Sequence, residues 1–460
     1  MICRILAASF AIAVCAHATV IQVPKDQPTI QAGIDAASPG DEVQVAPGTY
    51  AERIDFLGKA IQVVGSTAGN TVIDASSLSS VTSGGVVRFS GGEGPASVLG
   101  GFIITGGWVG EHGGGIYCEN SDPTITHCTI KGNLAGYGGG ISCEGASPTI
   151  THCTLEDNSV QRYGGAVWCY DGSPTLTRSS LTNNSSDSDG GGIQCVSATP
   201  TIRRCTITGN SANAGGGIRA YDSNPTIIQC TIADNSASTY GGGILCYKLA
   251  PAITQCTVTG NSAGWHGGGV SCDSSSPTLT NCSIKGNSSQ SGSGGIYCAD
   301  SAPALINSTI ADNSTAGSGG GIYCRFSDPT ITNCTIANNS AGDDGGGVYC
   351  YVASSPTLTN CILWGDAPDE VYVRSGSPTL TYCDVQGGYA GDGNLDADPN
   401  FRSCRGYDHI LWFGSPCIDA GIGEDDGVPW KRVHPVYGQH NRPAPDLGSY
   451  GGPDNVGWLP

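Results

Sequence analysis

Asp171, Arg219, Asp222 and Lys248 carry the charges that polysaccharide chemistry uses. A polysaccharide lyase needs a base for the proton beside a uronate carboxylate, and a cation to neutralise that carboxylate. Arg219 or Lys248 suits the base, and Asp171 with Asp222 suits a bound Ca²⁺. A glycosidase needs two carboxylates facing one bond. Trp168, Tyr170, Tyr221 and Tyr247 lie around these charges, with Trp265 and His266 on an adjacent loop. Such rings present flat apolar faces with polar edges, which suit sugars. They are also ordinary strand residues. No Ser-His-Asp arrangement, phosphate-binding loop or dense Asp/Arg cluster accompanies them.

Two further sets sit near the C-terminus. Asp392, Asn394, Asp396 and Asp398 place oxygens at alternate residues, as a Ca²⁺ loop does. Ala397 replaces the glycine of an EF-hand and Ser403 its final glutamate, so the set is no EF-hand, and a solvated turn is the other reading. Cys404 and Cys417 suit either a disulfide or two buried thiols.

Positioning these groups falls to a repeat. The apolar residue that closes each glycine run recurs from Ile116 through Ile141, Val167, Ile193, Ile218 and onward to Val348, in steps of 25 or 26 residues. Each unit holds three short β-branched stretches, such as "GIYC", "PTIT" and "CTIKGN", punctuated by Gly and Pro-Thr. Stretches this short cannot be helices. Stacked copies predict a right-handed parallel β-helix with three strands per rung of about 26 residues and a rung spacing of roughly 4.8 Å.

Two cysteine columns follow. One runs from Cys118 to Cys350 and the other from Cys128 to Cys383, with Ala220, Ser179 and Ser308 in the gaps. Each holds nine cysteines, an odd number, and pairing within rungs leaves several over, Cys169, Cys230 and Cys298 among them. Stacked inward thiols are expected, as small buried hydrophobes, with bridges between rungs as the alternative. A third column, Asn133 to Asn339 and then Asp366, suits left-handed turns and stacked amide bonding. The residues flanking each first-column cysteine should point outward as two columns, putting Arg219 and Trp168 in one and Tyr170, Tyr221 and Tyr247 in the other.

Residues 19–112 lack the repeat. Ile30, Ile34 and Ala37 have helical spacing and suit a cap over the open end. The run "DEVQVAPGTYAERIDFLGKAIQVVGS", with Thr71 to Asp74 after it, resembles the N-terminal rungs of the pectin-lyase-like superfamily. The glycine and Asn-Cys-Thr-Ile rungs resemble bacterial right-handed β-helix repeat proteins. "DGNLDADPNF", "GSPCIDAG" and "DLGSYGG" resemble the C-terminal segment of secreted bacterial β-helix surface proteins. The resemblance implies the fold and leaves open lyases, hydrolases, epimerases, esterases and adhesins. The expected organisation is a signal peptide at 1–18, an N-terminal cap and first rungs at 19–112, regular rungs at 113–384, and an irregular C-terminal cap at 385–460.

Arg4, the apolar run Ile5 to Val14 and the site Ala16-His17-Ala18 read as a secretory signal. No segment is long and apolar enough to span a bilayer. The net charge of −19 argues against nucleic acid or anionic membrane as partner. The expectation is therefore a secreted or cell-surface protein that binds polysaccharide or surface glycan, or acts as an adhesin, through an aromatic face. The alternatives are a pectate-lyase-like enzyme that uses Ca²⁺, and an ice-binding or purely structural solenoid, for which outward threonines such as Thr124 and Thr126 are the motif.

Overall fold

Each repeat closes one turn of a right-handed parallel β-helix. The structure is a computed structural model and describes residues 18–66, 70–82, 84–404, 407–411, 414–418 and 420–422. The expected signal at 1–18 lies outside these, apart from Ala18. Identical positions stack on identical positions: Ile116 pairs with Ile141, and Cys118 with Cys143. The first face is a 13-stranded parallel sheet that includes Ile116–Glu119 and Ile218–Tyr221. The second, of 15 strands, includes Thr124–Thr126, and the third, of 14, includes Thr129–Lys131.

The core is the axis of the solenoid. Ile116, Cys118, Ile125 and Ile130 are fully buried, as are their counterparts rung after rung. The glycine runs exist because consecutive turns touch there. A Cβ on Gly243 would lie 2.6 Å from the Gly269 carbonyl oxygen and 3.0 Å from a methyl of Val258. The asparagine column is a continuous amide ladder. Asn235 Nδ2 donates to Asn261 Oδ1 at 3.0 Å, and Asn261 Nδ2 donates to Asn287 Oδ1 at 2.9 Å. Buried polar groups demand such partners.

A helix, Ile30–Ala36, covers the N-terminal end as expected. Thr29 caps it, its Oγ1 accepting from the Ala32 N–H at 3.1 Å, and Ile30 and Ile34 plug the core. The ladders end near Asp384–Val385. A short antiparallel pair, Phe401–Cys404 with Tyr407–Leu411, follows.

The rungs from Leu134 to Ala341 have a fourth strand that the repeat did not announce. Nine short segments, from Leu134–Tyr137 to Ser340–Ala341, pair in parallel just beyond the asparagine column. After the asparagine side chain satisfies the corner, the chain leaves it extended and its amides bond the neighbouring rung, as Ser211 N does with Asn184 O at 3.0 Å.

Candidate functional site

The fourth strand leads into a loop that folds back over the first face, and this changes what that face presents. The residue before each glycine run stacks on its copies by isolated parallel bridges: His112 with Tyr137, Tyr163 with Asp189, Tyr240 with His266. These residues roof the column that precedes the cysteines. Trp168 is only 6 % exposed. Tyr137 packs on it at 5.0 Å between ring centroids and His112 at 5.2 Å. Tyr117, Leu245, Tyr297 and Tyr349 are buried too. The expectation of two outward columns is therefore corrected: only the column after the cysteines is open. Trp168 is an inner wall residue, and its near face is already taken by other rings.

The open column does carry aromatic residues. Tyr170 is 42 % exposed, and Tyr221 and Tyr247 stack at 5.2 Å with 10° between planes. Cations complete this set. The Arg219 guanidinium carbon lies 5.0 Å from the Tyr221 ring centroid, and Lys248 Nζ lies 5.0 Å from the same ring and 5.8 Å from Tyr247. Arg219 also forms a 2.9 Å ion pair with Asp189, both side chains largely covered. Burial pushes the Asp189 carboxyl up, and Arg219 opposes this.

Asp171, Asp222 and Lys248 occupy left-handed corners, with φ of 51°, 51° and 77°. The equivalent corner in other rungs holds Asn120, Gly145 or Asp300, all of them residue types that suit this backbone. The structure places Asp171 and Asp222 two rungs apart and does not bring either into an ion pair with Arg219.

Between roof and open column lies a groove of about 410 Å³. Leu245, Ser271 and Tyr297 form its floor, Asn213, Thr239 and Tyr240 one side, and Tyr247 and Asp273 the other. Arg219 and Arg325 stand at its two ends. They are four rungs apart, roughly 19 Å at the ordinary strand separation. Trp265, 51 % exposed, meets Tyr240 edge-on at 5.4 Å at the rim. His266 lies beneath it and stacks on Tyr297 at 4.5 Å, with burial holding its pKa below the usual imidazole range. Asp189, Tyr240, Asp273, Tyr297 and Arg325 were not singled out from sequence. The signal for Tyr240 and Asp189 was present, as the position before each glycine run recurs with the repeat.

Near the C-terminus, Asn394 is used structurally: its Oδ1 accepts from the Cys383 N–H at 2.9 Å and its Nδ2 donates to the Leu380 and Tyr389 carbonyls at 3.1 Å. Asp396 accepts from Gly387 N–H and Asp398 from Asn400 N–H. Asp392 contributes its main-chain carbonyl to the Tyr382 N–H. Among the described residues no group of three acidic, His or Cys side chains is arranged to hold a metal. Cys417 Sγ lies 2.9 Å from Asp384 Oδ2, and the Cys404 side chain lies outside the described set, so the pairing of these two cysteines does too. Among the described residues no helix is long and apolar enough to cross a membrane.

The family model for the right handed beta helix region matches residues 57–198, 114–273 and 268–394. No curated protein matches the chain. The A-module of mannuronan C-5 epimerase AlgE6 from Azotobacter vinelandii is similar in structure at 15% identity and a TM-score of 0.38, over 80% of this chain and 94% of that one. Pectate lyase Pel9A is similar at 13% identity and 0.34, over 94% and 96%. PfbA, a surface adhesin of Streptococcus pneumoniae, is similar at 12% and 0.35, over 84% and 94%. At these identities and scores the likenesses say nothing about what this chain binds.

Proposed function

Because the chain belongs to the right-handed β-helix family, we propose that its first face is a carbohydrate-binding surface and that the protein acts outside the cytoplasm by holding a polysaccharide. The supporting observation is the groove between Arg219 and Arg325, lined by the rings of Tyr240, Tyr247 and Tyr297, with Trp265 packed against Tyr240. Its lining runs from Arg219 to Arg325, four rungs or roughly 19 Å, which suits several units of a linear chain. Rings supply flat apolar contact, while Thr239, Ser271 and Asp273 supply partners for hydroxyls. Cleavage has less in its favour. Arg219 is committed to Asp189, and the carboxylates of Asp171 and Asp222 stand at separate corners.

A panel of purified polysaccharides, with and without Ca²⁺, tests this reading. Binding without new reducing ends or unsaturated products is expected. Tyr247→Ala with Trp265→Ala should abolish binding while leaving the circular dichroism spectrum unchanged. A folded double variant that binds at wild-type affinity would remove the groove as the site, and release of unsaturated products would make the protein a lyase.

A further inference from the structure

The corner between the second and third faces is another left-handed column, far from the groove in the rung. Its first four regular positions are His127, His152, Arg178 and Arg204, with φ of 52°, 53°, 50° and 53°. Farther on the position holds Gln229, Gln255 and then Asn281. Left-handed backbone favours Asn, Asp, His and Gly and does not select arginine. The backbone therefore accounts for His127 and His152 but not for Arg178 and Arg204. Arg203 stands beside Arg204, in a column whose previous three members are Thr126, Thr151 and Thr177.

All five basic side chains are exposed. Among the described residues none of the three arginines has a carboxylate within ion-pair distance. The hydrogen bond from Arg204 Nε to Gln229 Oε1, at 3.0 Å, ties one of them to a neutral neighbour. The two imidazoles stack at 4.9 Å with 4° between planes, each Nδ1 bonded to the threonine before it. Flanking positions are mostly hydroxyls, with Thr154, Ser180 and Thr206 on the third-face side. The nearby Glu156 is matched by Lys131 at 3.7 Å. On a chain of net charge −19, this is a narrow basic ridge in a neutral field, four rungs long, or roughly 14 Å.

We propose that this ridge is a second binding site, for a single linear acidic polysaccharide lying along the solenoid axis. Guanidinium groups pair with carboxylates in a planar, two-bond geometry. Arg178, Arg203 and Arg204, none of them in an ion pair among the described residues, can do so, while the threonine columns take sugar hydroxyls. Nucleic acid fits less well. Its dense phosphates would meet the acidic remainder of the surface. The ridge lies on a different edge from the groove and does not depend on it.

Binding of polygalacturonate to the full chain, followed across a salt series, tests the proposal. The variant Arg178→Glu/Arg203→Glu/Arg204→Glu should bind at least tenfold more weakly, with a flatter salt dependence. A control with the same change in charge, Lys25→Glu/Arg88→Glu/Arg162→Glu, should bind within twofold of wild type. Equal losses in both variants would show a non-local charge effect and overturn the ridge. So would tighter binding of single-stranded oligothymidylate than of polygalacturonate. If the ridge variant binds normally and Tyr247→Ala/Trp265→Ala does not, the ridge fails and the groove stands.

Discussion

Asp366 Oδ1 accepts two hydrogen bonds from Asn339, one from the main-chain N–H at 2.6 Å and one from Nδ2 at 2.9 Å. Asp366 thus ends the amide ladder as its last acceptor. In each earlier rung the second amide atom donates to a main-chain carbonyl, as Asn339 Nδ2 does to Ile310 O at 2.9 Å. The register puts Ile336 in that role for Asp366, but Asp366 Oδ2 is buried without a partner and has a hydrogen to give only while the carboxyl is protonated. Burial, and then the adjacent Glu370 carboxyl, hold Asp366 well above the usual carboxylate range; burial raises Glu370 as well.

That pair makes the C-terminal rungs sensitive to pH. Carboxyls with raised pKa values in the fold stabilise it fully below the unfolded value, near pH 4, and the contribution is lost as pH rises through the folded value. Asp366→Asn supplies the missing donor and removes the titration. It should stabilise the protein by about 1–3 kcal/mol at pH 8, the usual scale for an unsatisfied buried polar group. The gain should shrink toward pH 5. Urea denaturation at the two pH values checks this, and a gain independent of pH would contradict it.

In the middle of the ladder the opposite change should be costly. Asn261 Oδ1 accepts from both Asn235 N and Asn235 Nδ2, each at 3.0 Å. Asn261→Ala strands two buried donors, each worth roughly 1–3 kcal/mol. A loss of at least about 2 kcal/mol is expected in denaturant titration, with faster hydrogen exchange at the amide of Asn235. A loss below about 0.5 kcal/mol would mean that water replaces the ladder.

The ladders were legible because burial restricts each inward position to a few residue types, so the Cys118, Ile125, Ile130 and Asn133 positions return as Cys, a branched aliphatic residue and Asn in nearly every turn. The roof was not, since its positions vary from Tyr137 and Tyr163 to Asp189 and Ala214 and read as polar loop. What they share is a place in the turn, just before the glycine run. Alternation along "GIYC" correctly set inside from outside for the solenoid core. It could not show that a loop returns over the outer surface, because that contact lies between segments whose spacing has no period of two. Trp168 was misplaced for this reason, whereas Tyr221 and Tyr247, beyond the roof, were not.

The two cysteine columns should respond differently to serine. Ser179 and Ser308 already stand in the second column, where each hydroxyl donates to the carbonyl two residues earlier, at 3.1 and 2.9 Å. Cys256 Sγ faces the equivalent Thr254 carbonyl at 3.3 Å. Cys256→Ser should therefore cost less than about 1 kcal/mol. Cys272 is fully buried between the thiols of Cys246 and Cys298, and these contacts with burial keep its pKa well above the ordinary thiol value. Cys272→Ser buries a hydroxyl without a carbonyl partner and should cost about 1–3 kcal/mol. Equal costs, measured by denaturation, would contradict the distinction.

Thiol reactivity checks the same packing chemically. The cysteines of both columns are buried thiols, and reaction with a disulfide reagent requires an accessible thiolate. All 18 should be silent in the native protein and react after denaturation. Fewer than about six reactive thiols in denaturant would show bridges between rungs, for which the rung spacing falls within the permitted Cα range.

Arg219 both anchors the roof and stands at the end of the groove, and the two roles can be separated at Asp189. With its partner removed by Arg219→Ala, Asp189 becomes a covered carboxylate without compensation, and breaking a buried pair from one side costs roughly 3–5 kcal/mol. The pair is 18 % and 15 % exposed, so a loss at or below the lower end, about 2–3 kcal/mol, is expected. Asp189→Asn keeps the shape and releases the guanidinium. If Arg219 meets ligand, Asp189→Asn should strengthen binding of an acidic polysaccharide severalfold and leave a neutral one unchanged. Calorimetric titration with both polymers decides. Unchanged affinity for the acidic polymer, in a variant that folds normally, would confine Arg219 to holding the roof in place.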